Sequence, residues 1–229
     1  MIAGCYVAWN EAALIGESMR SIKAYVERFV VIDCAFSSNP SKGPVGSSDG
    51  MREIVEAAAD GKPLTYIVPA IRLEEQDARN LYLAELELDE WAFLLDADEI
   101  LVVDHDTMRA LLDDGLHHVW PAASLRIFTT AVMFNGNADA MPAEIYDSAP
   151  IISTSGFQPR IVVASQGLHY QRDEIRPGTF THSSLWRAGR LVVGQELEEP
   201  IILNRHVAQA FASYQADYAW ESAQRDGAR

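Results

Sequence analysis

Hydrophobic and polar positions alternate along the first hundred residues in blocks that are either strand-length apolar runs or stretches of helical spacing. Ile2 to Ala8 and Phe29 to Ile32 are short, nearly unbroken apolar runs, the pattern of strands buried on both faces of a parallel sheet. Between them, Leu14, Met19, Ile22 and Val26 recur at roughly helical spacing, and Asn10-Glu11 supplies a cap and an acidic first turn, so a helix is predicted from there to about Arg28. This β-α-β start predicts a parallel pair joined by a right-handed crossover. A helix from Ser48-Asp49-Gly50 to about Ala59, a strand over Leu64 to Val68, a helix over Glu74 to Leu88 and a strand over Trp91 to Leu95 continue the alternation.

The pattern loosens after residue 101. A short helix is predicted over Asp106 to Asp114 and one long or two shorter strands over Val119 to Phe134, followed by loop over Asn135 to Ser155. Phe157 to Ala164 reads as a strand, Leu168 to His182 as a substrate-facing loop, Pro200 to Leu203 as a last strand and Val207 to Ala223 as an amphipathic closing helix. Ala35 to Ser48 is a Pro/Gly/Ser-rich loop, and an ordered loop of that length in a compact domain is uncommon unless functional. No internal repeat and no linker interrupts the chain, so 1–229 is expected to form one domain, with residues 1–105 and 106–229 as its two halves.

Glu90 to Leu101, reading E-W-A-F-L-L-D-A-D-E-I-L, carries the candidate chemistry. Its apolar run ends at Asp96, Asp98 and Glu99. If the backbone stays extended, Asp96 and Asp98 project to the same side. Two carboxylates at the end of a buried strand repel and lose solvation, and the common stabiliser is a hard cation with oxygen ligands, Mg²⁺ or Mn²⁺. The plainer alternative is an acidic turn that caps a helix starting near Thr107. In open parallel sheets ligands bind beyond the carboxyl ends of the strands, where Asn10, Asp33 and Asp96 are expected to meet.

Composition narrows the classes. A net charge of −15, from 33 acidic and 18 basic residues, opposes unassisted binding to nucleic acid or an anionic membrane. Cys5 and Cys34 fall in predicted buried strands, where a pair of reduced thiols is expected. No apolar run reaches transmembrane length, and the first strand begins almost at Met1, leaving no room for a signal peptide, so a cytoplasmic protein is expected.

N-E-A at 10–12, V-V-I-D at 30–33, S-S-D-G at 47–50, A-R-N at 78–80 and L-L-D-A-D-E at 94–99 match, in order and spacing, the N-terminal half of inverting family-two glycosyltransferases. Beyond residue 105 the resemblance thins to F-Q-P-R at 157–160, L-H-Y at 168–170 and N-R-H at 204–206. The loop between Asp33 and Asp49 is longer than the family's usual turn. The resemblance implies an α/β protein of GT-A fold, with a mostly parallel central sheet flanked by helices. It also implies a hexosyltransferase that moves a sugar from a nucleoside-diphosphate sugar to a glycan or other hydroxyl acceptor, with Mn²⁺ or Mg²⁺ as cofactor. On that likeness Asp33 holds the base or ribose, and Ala8 and Trp9 border the nucleobase beside Asn10 and Glu11. Asp49 belongs to the same donor set, Arg79 sits near the diphosphate or braces the acids, Asp96 serves ribose and metal, and Asp98 ligates the metal with His206 as a further ligand. A general base is needed opposite the leaving group, and Asp173, Glu174 and His182 are the candidates.

Four other enzyme classes fit less well. D-A-D-E-I also resembles the motif of haloacid-dehalogenase phosphatases, but those need a later lysine and none follows Lys62. Neither a P-loop nor a G-x-G-x-x-G motif is present. The Gly-rich basic loop that opens nucleotidyltransferases is also missing from the N-terminal stretch. A non-catalytic domain of glycosyltransferase shape, binding a nucleotide or a partner, is the alternative from a different class.

Overall fold

The computed structural model describes residues 1–38, 43–101, 105–110, 122–124, 127–129, 159–172, 183–187, 190–191, 195–196 and 202–204. Within them β1 (Ile2–Ala8), α1 (Ala12–Ile22), β2 (Arg28–Asp33), α2 (Met51–Ala59), β3 (Leu64–Ile67), α3 (Glu75–Ala84) and β4 (Trp91–Asp96) alternate as expected. There follow β5 (Glu99–Leu101), α4 (His105–Ala110), β6 (Ala122–Ser124), β7 (Ile127–Thr129), β8 (Pro159–Val163), β9 (Leu168–Arg172), β10 (Ser183–Arg187), β11 (Arg190–Leu191), β12 (Gln195–Glu196) and β13 (Ile202–Asn204). The protein is α/β, with helices flanking a central sheet.

That sheet has seven strands in the order β12-β6-β8-β4-β1-β2-β3. The strands β1 to β4 run parallel, and β8 alone runs against its neighbours β4 and β6. The first crossovers carry the chain from β1 outward to β3, and α3 returns it to the other side of β1, so the strand order reverses between β1 and β4. Such a reversal splays the flanking loops apart and leaves a crevice at the carboxyl edge. Two smaller sheets, β11-β10-β9 and β5-β13-β7, accompany it.

Alternation along each strand divides the core in two. Tyr6, Phe29, Val31, Phe93 and Leu95 pack with Ile15, Met19 and Ile22 of α1 and with Met51 and Val55 of α2. Cys5, Val7, Val30, Ile32, Ala92 and Leu94 pack with Ala78 and Tyr82 of α3 and with Tyr170 and Leu185. Both cysteines are free and buried. Gly4 lies where α1 crosses β1 closely: a Cβ there would come within 2.8 Å of Ile22 and of Phe29.

Four expectations change. Helix α1 ends at Ile22 rather than near Arg28, because Val26 is needed in the core and the Glu27 N–H donates to the Ile2 carbonyl at 2.8 Å. Helix α3 ends at Ala84, four residues short of Leu88, which is 72% exposed. Leu168–Arg172 is a strand rather than loop, because it pairs antiparallel with Ser183–Arg187. Finally, the chain does not stay extended after Asp96 but turns through Ala97 and Asp98 before β5, so strand alternation does not set where Asp98 points. The expected closing helix over Val207 to Ala223 and the loop over Asn135 to Ser155 lie outside the described residues. Among the described residues, no helix is long and apolar enough to cross a membrane.

Candidate functional site

The register of the parallel strands brings the expected residues to one edge. Asp33 is opposite Ala8 across β2 and β1, and Asp96 is opposite Val7 across β4 and β1. One strand separates the two acids, so their backbones stand about 10 Å apart. They belong to opposite faces: Asp33 continues the alternation of Phe29 and Val31 toward α2, while Asp96 continues that of Ala92 and Leu94 toward α3.

On the α2 face the loop leading to Gly50 folds back over the end of β1. The Asp33 carboxylate, buried, accepts from the Ser47 N–H at 2.8 Å, the Ser47 hydroxyl at 2.7 Å and the Tyr66 hydroxyl at 2.7 Å. Arg52 stacks on the Tyr66 ring. Burial and the Asp33 carboxylate both push the Tyr66 phenol up, so it stays a donor. Asp33, expected to hold the base or ribose, here fastens the loop.

The same loop holds the segment after β1. The Trp9 indole N–H donates to the Gly46 carbonyl at 3.3 Å, the Asn10 N–H to the Ser47 hydroxyl at 2.7 Å, and the Ser48 N–H to Asn10 Oδ1 at 2.9 Å. Asn10 therefore sits in the left-handed region at φ 55, which asparagine tolerates, and does not cap α1. Asp49 takes that role: its Oδ2 accepts from the Ala12 N–H at 2.9 Å at the start of α1, and its Oδ1 from the Met51 N–H at 3.1 Å at the start of α2. One side chain thus ties two helix starts together. Glu11, half-buried, is pushed up to about 7 by burial first, then by Asp98, Asp49 and Asp96.

On the α3 face Arg79 braces Asp96. Its Nη2 donates to Asp96 Oδ1 at 2.8 Å and its Nε to Glu75 at 2.9 Å. The second oxygen, Asp96 Oδ2, accepts from Arg160 at 3.0 Å, and the same guanidinium reaches Glu99 Oε1 at 2.6 Å. Burial pushes the Asp96 carboxyl up, but Arg79 and then Arg160 more than offset it and hold it down at about 2. Glu99, fully buried, is pushed up by burial against the pull of Arg160. Its Oε2 accepts from the Asp96 N–H at 2.9 Å, and its carbonyl accepts from the Ser18 hydroxyl. The three acids that ended the apolar run therefore divide: Asp96 is clamped, Glu99 is an internal anchor, and Asp98, partly exposed, stands on the turn between them.

Arg160 has no counterpart among the expected site residues. Because β8 runs antiparallel to β4, its first residues lie at the carboxyl edge of the parallel strands. The only signal was the F-Q-P-R string, to which no role attached. Asp173, Glu174, His182 and His206 lie outside the described residues. The strand before His206 is described, with Asn204 opposite Glu99.

Among the described residues no three His, Cys, Asp or Glu side chains are grouped as a ready cage for a metal ion. The donor chemistry nevertheless fits Mg²⁺ or Mn²⁺, which are commonly held by one or two carboxylates and completed by substrate phosphates and water. Asp98 is a partly exposed carboxylate on the turn after β4.

No protein-family model and no curated protein matches the chain. Among solved structures it is similar to S. aureus TarS 1-349, at 16% identity and a TM-score of 0.44 over 62% of this chain and 38% of that one. In the complex of TarS 1-349 with UDP the figures are 13% identity, a TM-score of 0.49, 96% of this chain and 64% of that one. It is also similar to Mycobacterium tuberculosis glucosyl-3-phosphoglycerate synthase in complex with Mn²⁺, UDP and glucosyl-3-phosphoglycerate, at 22% identity and a TM-score of 0.38 over 56% of this chain and 44% of that one. The chain spans less than two thirds of the length of each.

Proposed function

We propose that the protein is a metal-dependent glycosyltransferase of GT-A fold that moves a sugar from a nucleoside-diphosphate sugar to an acceptor hydroxyl with inversion. The observation that carries this reading is the D-A-D-E turn at the carboxyl end of β4, beside the strand-order reversal, with Asp98 at its tip and Asp96 held between two guanidinia. The donor diphosphate lies over this turn and the start of α1, and its nucleobase lies beside Ala8 and Trp9. A divalent cation there offsets the charge that builds on the departing diphosphate. Asp98 anchors it. His206 joins as a second protein ligand, a role supported by the pairing of Asn204 with Glu99, since two residues of chain span at most about 7 Å. Asp173, Glu174 or His182 takes the acceptor proton on the face opposite the leaving group.

Release of nucleoside diphosphate from a panel of nucleotide sugars, with Mn²⁺ or Mg²⁺ and simple sugar acceptors, tests the reading. Turnover of one donor is expected, falling by roughly 10²–10³ in Asp98→Asn, the scale seen when one electrostatic stabiliser of a developing charge is removed. His206→Ala is expected to raise the Mn²⁺ needed for half-maximal rate about tenfold or more. No metal-dependent turnover of any donor would contradict it. A second reading, a non-catalytic nucleotide- or partner-binding domain, is favoured by one observation: the Asp33 carboxylate is already occupied by Ser47 and Tyr66.

A further inference from the structure

We infer that Arg160 is a positioning residue for the cation site, acting through the turn from Asp96 to Glu99. The inference rests on the metal-dependent reading above and adds to it a residue from the other half of the chain.

The Arg160 side chain is 4% exposed and bridges two carboxylates, Asp96 Oδ2 at 3.0 Å and Glu99 Oε1 at 2.6 Å. Glu99 Oε2 in turn accepts from the Asp96 backbone N–H at 2.9 Å. A closed ring results, running from the Asp96 side chain through Arg160 and the Glu99 side chain to the Asp96 backbone. The bond from the Asp96 N–H to Glu99 also closes a backbone loop whose two inner residues are Ala97 and Asp98. Arg79 on the second Asp96 oxygen removes the remaining rotational freedom of that carboxylate. Behind the turn, the Ser18 hydroxyl holds the Glu99 carbonyl, and the Leu101 N–H donates to Ser21 at 2.9 Å. Asp98 is thus presented from a turn fixed at both ends.

The consequence is preorganisation. A cation held in part by a carboxylate on a short turn binds more weakly if ordering the turn must accompany binding. With the turn already ordered, less of the binding free energy is spent on it. The clamp also matches the two Asp96 oxygens with two guanidinia, so Asp96 neither repels Asp98 nor swings round to compete with it for the ion. A buried ion pair of this kind is weak evidence of a stabilising role, since apolar replacements are often neutral or better. Positioning accounts for its placement around the acidic turn.

Binding of Mn²⁺ alone, followed by the loss of the free-ion paramagnetic resonance signal, separates the possibilities. Four proteins are compared: wild type, Asp98→Asn, Arg160→Lys, and the double variant Arg160→Met with Glu99→Gln. The double variant removes both charges together, and its glutamine can still accept from the Asp96 N–H, so that bond of the turn is kept. Wild type is expected to bind and Asp98→Asn to lose binding. The double variant is expected to bind about 10–100-fold more weakly at an unchanged unfolding midpoint, the scale for residues that orient a metal ligand. Arg160→Lys is expected to fall between, because an ammonium cannot bridge both acids as a planar guanidinium does. A folded double variant binding within twofold of wild type overturns the inference while leaving the metal reading intact. Should the double variant not fold, Arg160→Lys decides, and wild-type affinity in it overturns the inference. Absence of binding in wild type, or undiminished binding in Asp98→Asn, overturns the metal reading and the inference with it.

Discussion

Asp33 and Asp96 end the two buried strands that flank β1, yet their partners give them different work. Asp33 meets a hydroxyl-rich surface and becomes a fastening for the loop before α2, whereas Asp96 meets two arginines and keeps its charge. Ser47, Tyr66 and Arg160 were not legible as partners in the sequence, because they are 14, 33 and 64 residues away from the acids they hold. Arg79 was legible because its motif placed it at the start of a helix that precedes the acidic strand. Glu11 offers a test at this scale. Its folded form keeps a proton up to about pH 7, against 4.5 for an ordinary glutamate, because burial and the charges of Asp98, Asp49 and Asp96 disfavour its ionisation. The folded state thus binds the proton more tightly than the unfolded chain, so its stabilising contribution is complete below about pH 4.5 and is lost as pH rises through about 7. Urea unfolding in metal-free buffer should show stability falling across that window by roughly 1–3 kcal/mol after solvent screening, and Glu11→Gln should flatten the slope. An identical slope in both proteins would mean that Glu11 does not carry it.

At the scale of elements, the strands were readable because β1, β2 and β4 are covered on both faces and so appear as continuous apolar runs. Helix ends were less so. The apolar spacing of Leu14, Met19, Ile22 and Val26 persists past the true end of α1, and only the bond between Glu27 and Ile2, which needs the folded sheet, shows that the helix has stopped. The strand Leu168–Arg172 was missed for the same reason: its mixed composition has no period, and its strand character comes from pairing with Ser183–Arg187 and from Asn80, whose side-chain amide exchanges two hydrogen bonds with the Tyr170 backbone. Asp49 was placed correctly at a helix start but serves two helices instead of one. Asp49→Ala should therefore cost about 1–3 kcal/mol, more than a single lost cap at about 1, read as a drop in urea midpoint at unchanged slope. A loss no greater than that of a single cap would show that the contact with Ala12 contributes nothing.

For the whole molecule, charge and topology act together. A chain of net charge −15, with the partly exposed Asp98 at its carboxyl edge, disfavours a nucleoside diphosphate unless a cation accompanies it. The α/β alternation and the gathering of Asn10, Asp33 and Asp96 at the carboxyl ends of the strands were legible, since both follow from the order of buried strands and helices. The place of the second half's strands in the sheet was not, because β6, β8 and β12 join it through pairings distant in sequence. The central claim is that this edge binds a nucleoside diphosphate only with a divalent cation, through Asp98. Thermal unfolding with a panel of nucleoside diphosphates, each with and without Mn²⁺, on wild type and Asp98→Asn, tests it most directly. At a hundred times its dissociation constant a ligand adds about 2.7 kcal/mol, which for a chain of this size raises the midpoint by roughly 5–10 °C. The account predicts such a rise for at least one nucleotide with Mn²⁺, absent without the metal and absent in Asp98→Asn. A rise that is independent of metal, or that persists in Asp98→Asn, or no rise with any nucleotide at millimolar concentration in the folded protein, would contradict it.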